Sequence, residues 1–130
     1  MNDSIFSKII RGDIPCHKIY EDDKTFAFLD INPTQPGHIL VVPKQEIEFL
    51  WDLAREDYQA TMDTCQKVAR RLREALGVKY VGVKVIGEEV PHAHVHLIPF
   101  NAASEYFARR TAEHKPDHEA LAAMAKKLAF

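Results

Sequence analysis

Residues 92 to 97 read His-Ala-His-Val-His-Leu, a strict two-residue alternation that suits an extended strand and not a helix. Successive side chains of a strand leave opposite faces, so His92, His94 and His96 are predicted to share one face, with Ala93, Val95 and Leu97 on the other. The apolar face requires a packed layer beneath it. The imidazole face must be satisfied by solvent, by a metal or by chemistry, and it gathers three of the seven histidines in the chain.

The flanking sequence supplies that layer. Residues 57–76 place Tyr58, Met62, Cys65, Ala69, Leu72 and Leu76 at steps of three and four, the stripe of a helix packed on a sheet, and Gly77 follows as its stop. "DSIFSKIIRG" reads as a short first helix with Asp3 or Ser4 as cap and Gly12 at the exit. "CHKIYED" and "TFAFLDI" are strand-like runs around the polar turn Asp22-Asp23-Lys24, and "NPTQPG" is a loop. "HILVVPK" is a buried strand that Pro43 ends, "YVGVKVIG" is another, and "PDHEALAAMAKKLAF" closes the chain as a helix. His114 and His118 are expected as exposed residues flanking that helix. The predicted class is α+β, with about five strands in an antiparallel sheet and two or three helices, in one domain covering residues 1–130.

A net charge of -2 offers no broad attraction to nucleic acid, so a phosphate recognised here belongs to a small molecule. The N-terminal residues lack the pattern of a secretory signal, and no apolar run is long enough to span a membrane. Cys16 and Cys65 form no metal-binding pair, and two cysteines do not by themselves establish a disulfide. These features predict a cytoplasmic protein with reduced thiols.

Three readings of the histidine face are open. It can be a solvated strand surface. It can be a metal site, although at ~3.3 Å per residue the outer two backbones lie ~13 Å apart, too far to converge with the middle ring on a tetrahedral zinc. Or the middle imidazole does chemistry: near neutrality it can be a neutral nucleophile, and neighbouring rings discourage its protonation while offering donors to phosphate oxygens.

The segments "IFSKIIRGDIP", "FAFLDINPTQPGHILVVPK" and "GEEVPHAHVHLIP" resemble, in order, those of the histidine triad (HIT) family of nucleotide hydrolases and transferases. Residues 1–100 match the family core, and 101–130 form a variable C-terminal segment. The resemblance implies a HIT-like fold: a five-stranded antiparallel sheet, a long central helix and short terminal helices. It implies that His94 attacks the α-phosphorus of a nucleotide to form a nucleotidyl-histidine, with His92 and His96 orienting it and contacting the phosphate or leaving group. His38 corresponds to a supporting histidine, and Asp30 to the carboxylate that accepts the ribose hydroxyls. Ile5, Phe6, Ile9, Phe28 and Ile31 correspond to the apolar wall around the base.

The sequence departs from the family in two places. Many bacterial members hold a structural zinc through a C-x-x-C in the first helix, a histidine after the central strand and a triad histidine. Here those positions carry Ser4, Ser7 and Glu46, so no zinc and no other cofactor is expected. The connection before the triad is short, and Gly87, Glu88 and Glu89 stand where relatives place donors to phosphate. His96, which the uridylyltransferase branch replaces, and the apolar residues after it are most similar to the nucleoside phosphoramidase branch. The implied substrate is a purine nucleotide or a nucleoside phosphoramidate, an AMP or GMP conjugate, and the implied assembly is a homodimer. A dinucleoside polyphosphate hydrolase, a nucleotide-binding scaffold with little turnover and a metal-dependent enzyme using two triad histidines are the alternatives.

Overall fold

The sheet is assembled around a buried apolar ladder. In the computed structural model, which describes residues 3–109 and 115–130, five antiparallel strands lie in the order β1-β2-β3-β5-β4. They are β1 (Lys18–Glu21), β2 (Thr25–Leu29), β3 (Ile39–Pro43), β4 (Tyr80–Lys84) and β5 (Val95–Phe100). The helices are α1 (Ile5–Arg11), α2 (Arg55–Leu76), the single turn α3 (Ala103–Tyr106) and α4 (His118–Leu128), with a 3-10 turn at Leu50–Asp52. The α+β expectation holds.

Alternation sorts the two faces. Ala27 and Leu29 of β2, Ile39 and Val41 of β3, and Val95 and Leu97 of β5 pack against Cys65, Val68 and Leu72 of α2 and against Leu121 and Leu128 of α4. On the opposite face Phe26 and Phe28 of β2 and Leu40 and Val42 of β3 meet Phe6 and Ile9 of α1. Met62, Cys65, Ala69, Leu72 and Leu76 of the expected α2 stripe do pack on the core, but the centre of the buried face is shifted slightly. Its buried centre is Thr61, Thr64, Cys65, Val68 and Leu72, whereas Tyr58 is exposed. Thr64 fits there because its hydroxyl bonds that of Thr25 at 2.7 Å, which satisfies two polar groups inside the core.

The helix ends follow their local signals. The Ser4 hydroxyl accepts the Ser7 N–H at the start of α1, and Gly12 ends that helix with φ of 85°. Asp117 caps α4 through the Ala120 N–H. The turn α3 was not legible in advance; the Glu105 carboxylate creates it by accepting the N–H groups of Asn101 (2.7 Å) and Ala102 (3.0 Å). Gly37, just before β3, has φ of 95°, and a Cβ there would lie 2.9 Å from Leu76 Cδ1. Both conformation and space therefore call for glycine at the entry to the strand that His38 leads. No described helix is long and apolar enough to cross a membrane.

Candidate active site

Three pieces of chain bring the site together: the turn from Asp30 to His38, the start of β5, and α1. The strand expected through all three triad histidines begins only at Val95, so His96 alone lies in it. His92 and His94 occupy irregular backbone ahead of the strand, where the His92 N–H turns back to the Val90 carbonyl (2.8 Å). The Ala93 N–H is held by the Ile47 carbonyl (2.7 Å), outside the ladder. The side chains still gather on the α1 side of the sheet. Phe6 meets the His92 and His94 rings edge-on, at centroid distances of 5.9 and 5.0 Å. The His94 and His96 rings are 5.2 Å apart.

The hydrogen bonds assign the protons. A carbonyl can only accept, so the 2.8 Å contact between His94 Nδ1 and the His92 carbonyl places the proton of a neutral His94 on Nδ1. Its Nε2 then carries the lone pair. Likewise His92 Nε2–H donates to the Pro43 carbonyl at 2.7 Å, and His92 Nδ1 accepts from the Ser4 hydroxyl at 2.7 Å. Burial pushes the pKa of His92 down, the bond to the Pro43 carbonyl and then Glu46 pull it partly back, and the neighbouring His94 lowers it further. Desolvation, more than repulsion among the rings, keeps that ring neutral.

On the other side, the Thr34 N–H donates to His38 Nδ1 at 3.0 Å. His38 Nε2–H therefore donates to His96 Nδ1, also at 3.0 Å, and the His96 proton resides on Nε2. The Asp30 carboxylate completes this arm. Its Oδ1 accepts the Asn32 N–H at 2.8 Å, the turn-initiating role open to any aspartate in that position, while Oδ2 lies 3.6 Å from His38 Nε2. Asp30, His38 and His96 offer ligand atoms within 4.8 Å of one another. The His38–His96 hydrogen bond by itself brings those two rings together.

The remaining expected residues divide by exposure. Phe6, Ile9 and Phe28 are buried in the second apolar cluster, and Phe6 and Phe28 meet edge to face at 5.5 Å. Ile5 (48% exposed) and Ile31 (43% exposed) stand out into solvent and are not core. Gly87, with φ of 81°, precedes Glu88 and Glu89, both exposed. Asp30, Ile31 and His38 also line a pocket of about 130 Å³ whose far wall is Asp117, the cap of α4, with Ala120, Leu121 and Met124 of that helix. That places the C-terminal segment beside the site. His118 is exposed, with its Nδ1 3.0 Å from His17 Nε2, and His114 lies outside the described residues. The Pro43 carbonyl and the Thr34 N–H could not be anticipated, because backbone groups carry no residue signature.

The HIT domain profile matches residues 11–102, well over half of the chain. The chain belongs to the HIT family. The purine nucleoside phosphoramidase of Escherichia coli K12 is 39% identical over 103 residues, covering 74% of this chain and 86% of that protein. The adenosine 5'-monophosphoramidase of Saccharomyces cerevisiae is 38% identical over 96 residues, 73% of this chain and 61% of the yeast protein. Among solved structures, a Hit-like protein from Bartonella henselae superposes with a TM-score of 0.86 at 34% identity, covering 98% of this chain and 95% of that one. A zinc-bound histidine triad protein from Mycobacterium smegmatis superposes with a TM-score of 0.75 at 30% identity, covering 95% and 94%.

The positions that the family resemblance links to zinc do converge in this HIT protein, on His92. Ser4 Oγ and Ser7 Oγ lie 2.7 and 3.5 Å from His92 Nδ1, and Ser7 Oγ lies 2.7 Å from Glu46 Oε1. They do not fit the metal. Neutral hydroxyls replace thiolates, and His92 Nδ1 already accepts a hydrogen bond from the Ser4 hydroxyl.

Proposed function

We propose that this HIT protein hydrolyses nucleoside phosphoramidates, such as AMP or GMP joined to an amine, with His94 as the nucleophile. The observation that carries the reading is the bond from His94 Nδ1 to the His92 carbonyl, which leaves the lone pair on Nε2. A nucleophile needs one reachable nitrogen edge, and packing against Phe6 holds the rest of a ring that is 3% exposed. In this reading Nε2 forms a bond to the α-phosphorus as the P–N bond breaks, and water then displaces His94 to release the nucleotide. The proton gained by the departing nitrogen is balanced by the one the hydrolytic water releases. His96 Nε2–H stabilises charge on the phosphoryl oxygens, its ring oriented by His38.

Asp30 takes the ribose hydroxyls, because a carboxylate can accept two hydrogen bonds from a vicinal diol. The exposed Ile5 and Ile31, with Phe6, Ile9 and Phe28 behind them, form the wall against the purine. Gly87 contributes backbone amides near the phosphate, while the carboxylates of Glu88 and Glu89 narrow the range of accepted leaving groups. The assembly we infer is a homodimer, supported by the apolar Tyr80, Val83 and Ile86 that edge strand β4 and its exit leave exposed.

Incubation with adenosine 5'-phosphoramidate tests the activity. Release of AMP by the native protein, its loss in His94→Ala with AMP still bound, and a protein one nucleotidyl group heavier after rapid quench are expected. An equally active His94→Ala protein would end the covalent reading. Nucleotide binding without turnover by the native chain would favour the scaffold alternative.

A further inference from the structure

We propose that Ser4, Ser7 and Glu46 form a positioning relay, which holds His92 in the one orientation from which its carbonyl selects the nucleophilic tautomer of His94. The proposal rests on the hydrolase reading above and adds to it three residues that need not touch substrate.

His92 has both ring nitrogens committed inside the protein, to the Pro43 carbonyl and to the Ser4 hydroxyl. Its ring is therefore an anchor, and its link to the nucleophile is the main-chain oxygen, 2.8 Å from His94 Nδ1. The anchor works only if Ser4 donates to His92 Nδ1, because His92 Nε2 already carries the proton given to Pro43. Ser4 Oγ has one proton, and its nearest acceptor is His92 Nδ1 at 2.7 Å, with Ser7 Oγ competing at 3.4 Å.

Glu46 resolves the competition. Its Oε1 accepts the Ser7 hydroxyl proton at 2.7 Å and the Ser4 N–H at 2.6 Å. With its own proton engaged there, the Ser7 hydroxyl cannot donate to His92 Nδ1, which it approaches to 3.5 Å. The Ser7 N–H in turn donates to Ser4 Oγ at 3.0 Å, filling an acceptor position and aiming the Ser4 proton at the ring. Every hydroxyl direction is thereby fixed by an acceptor-only group at the end of the chain. The relay ties α1, the loop after β3 and the triad segment into one unit over sequence separations of 39 to 88 residues.

A carboxamide at position 46 keeps an oxygen that can accept both bonds, whereas a methyl group cannot. Glu46→Gln is therefore expected to turn over adenosine 5'-phosphoramidate within about twofold of the native rate, and Glu46→Ala to lose about tenfold in kcat with KM little changed, the size of one mispositioned hydrogen bond. Ser4→Thr should retain activity. Ser7→Ala, which removes only the competing hydroxyl and the contact to Glu46, should lose less than Glu46→Ala. Nitrogen-15 NMR of the imidazoles supplies a reading that does not depend on turnover: His94 is expected as the Nδ1–H tautomer in the native protein and Glu46→Gln, and as a mixture in Glu46→Ala. Unchanged kcat and an unchanged His94 tautomer in a folded Glu46→Ala protein would overturn the relay while leaving the hydrolase reading intact. A native protein inactive on phosphoramidates would overturn that reading, yet a tautomer shift in Glu46→Ala would still support the relay.

Discussion

Gly37 links the core to the site, and replacing it with alanine separates two costs. Its φ of 95° is one an L-residue with a side chain adopts at a penalty of about 1–2 kcal/mol. The added Cβ would also stand 2.9 Å from Leu76 Cδ1, 3.2 Å from Pro99 Cγ and 3.3 Å from Leu72 Cδ2. Leu72 is fully buried and cannot retreat freely, so overpacking adds about 1–3 kcal/mol. The sum, about 2–5 kcal/mol, lowers the melting temperature by about 8–20 °C for a domain of this size. Gly12 is the control: its φ is 85°, but a Cβ there meets nothing within 4 Å, so Gly12→Ala carries the conformational cost alone. Thermal unfolding of both variants, followed by circular dichroism, measures the difference. Below its transition Gly37→Ala should also lose activity, because displacement at residue 37 misaligns the adjacent His38 with His96. Equal losses of stability in the two variants would refute the steric half of the reasoning.

Three further outcomes are expected. Asp30→Ala should raise KM for a ribonucleoside phosphoramidate more than for its 2'-deoxy analogue, and steady-state kinetics on the matched pair would show equal effects if Asp30 serves only its turn. Acid should destabilise the protein in two stages seen by unfolding at stepped pH. Buried His92, its folded pKa lowered, begins to cost stability as pH falls below the unfolded value of about 6.5, and Glu46, lowered chiefly by the Ser4 N–H and then the Ser7 hydroxyl, loses its contribution as pH falls from about 4.3 through its folded value. The second stage should be absent in Glu46→Gln. Finally, activity should survive a strong chelator with no metal found by elemental analysis, whereas loss restored by added metal would favour the metal-dependent alternative.

The elements whose signals are local were legible in the sequence. The Ser4 and Gly12 boundaries of α1, the stop of α2 at Gly77 and the Asp117 cap of α4 each depend on one side chain or one φ angle. The alternation around His94 correctly gathered the three imidazoles on one side, and the order of the matching segments pointed to the family. What stayed hidden required partners distant in the chain. The centre of the α2 stripe at Thr64 and Val68 follows from the mate that Thr25 provides, and a threonine in isolation reads as polar surface. The late start of β5 follows from His92 and Ala93 bonding outside the ladder. Ser4, Ser7 and Glu46 were legible as departures from a zinc site, but their joint geometry is a property of the folded chain.

The same long separations bear on when the protein acquires activity during folding. Each half of the site closes across a wide span: His38 reaches His96 over 58 residues and Ser4 reaches His92 over 88. Helix α2, by contrast, is built from contacts within its own 22 residues. Local helices form early, and distant strand pairings form late because loop closure must come first. A refolding chain should therefore regain its helical signal before it can turn over substrate, and a collapsed, helical intermediate would be catalytically silent. For this architecture, recovered turnover reports the completed β3–β5 pairing, whereas recovered ellipticity does not.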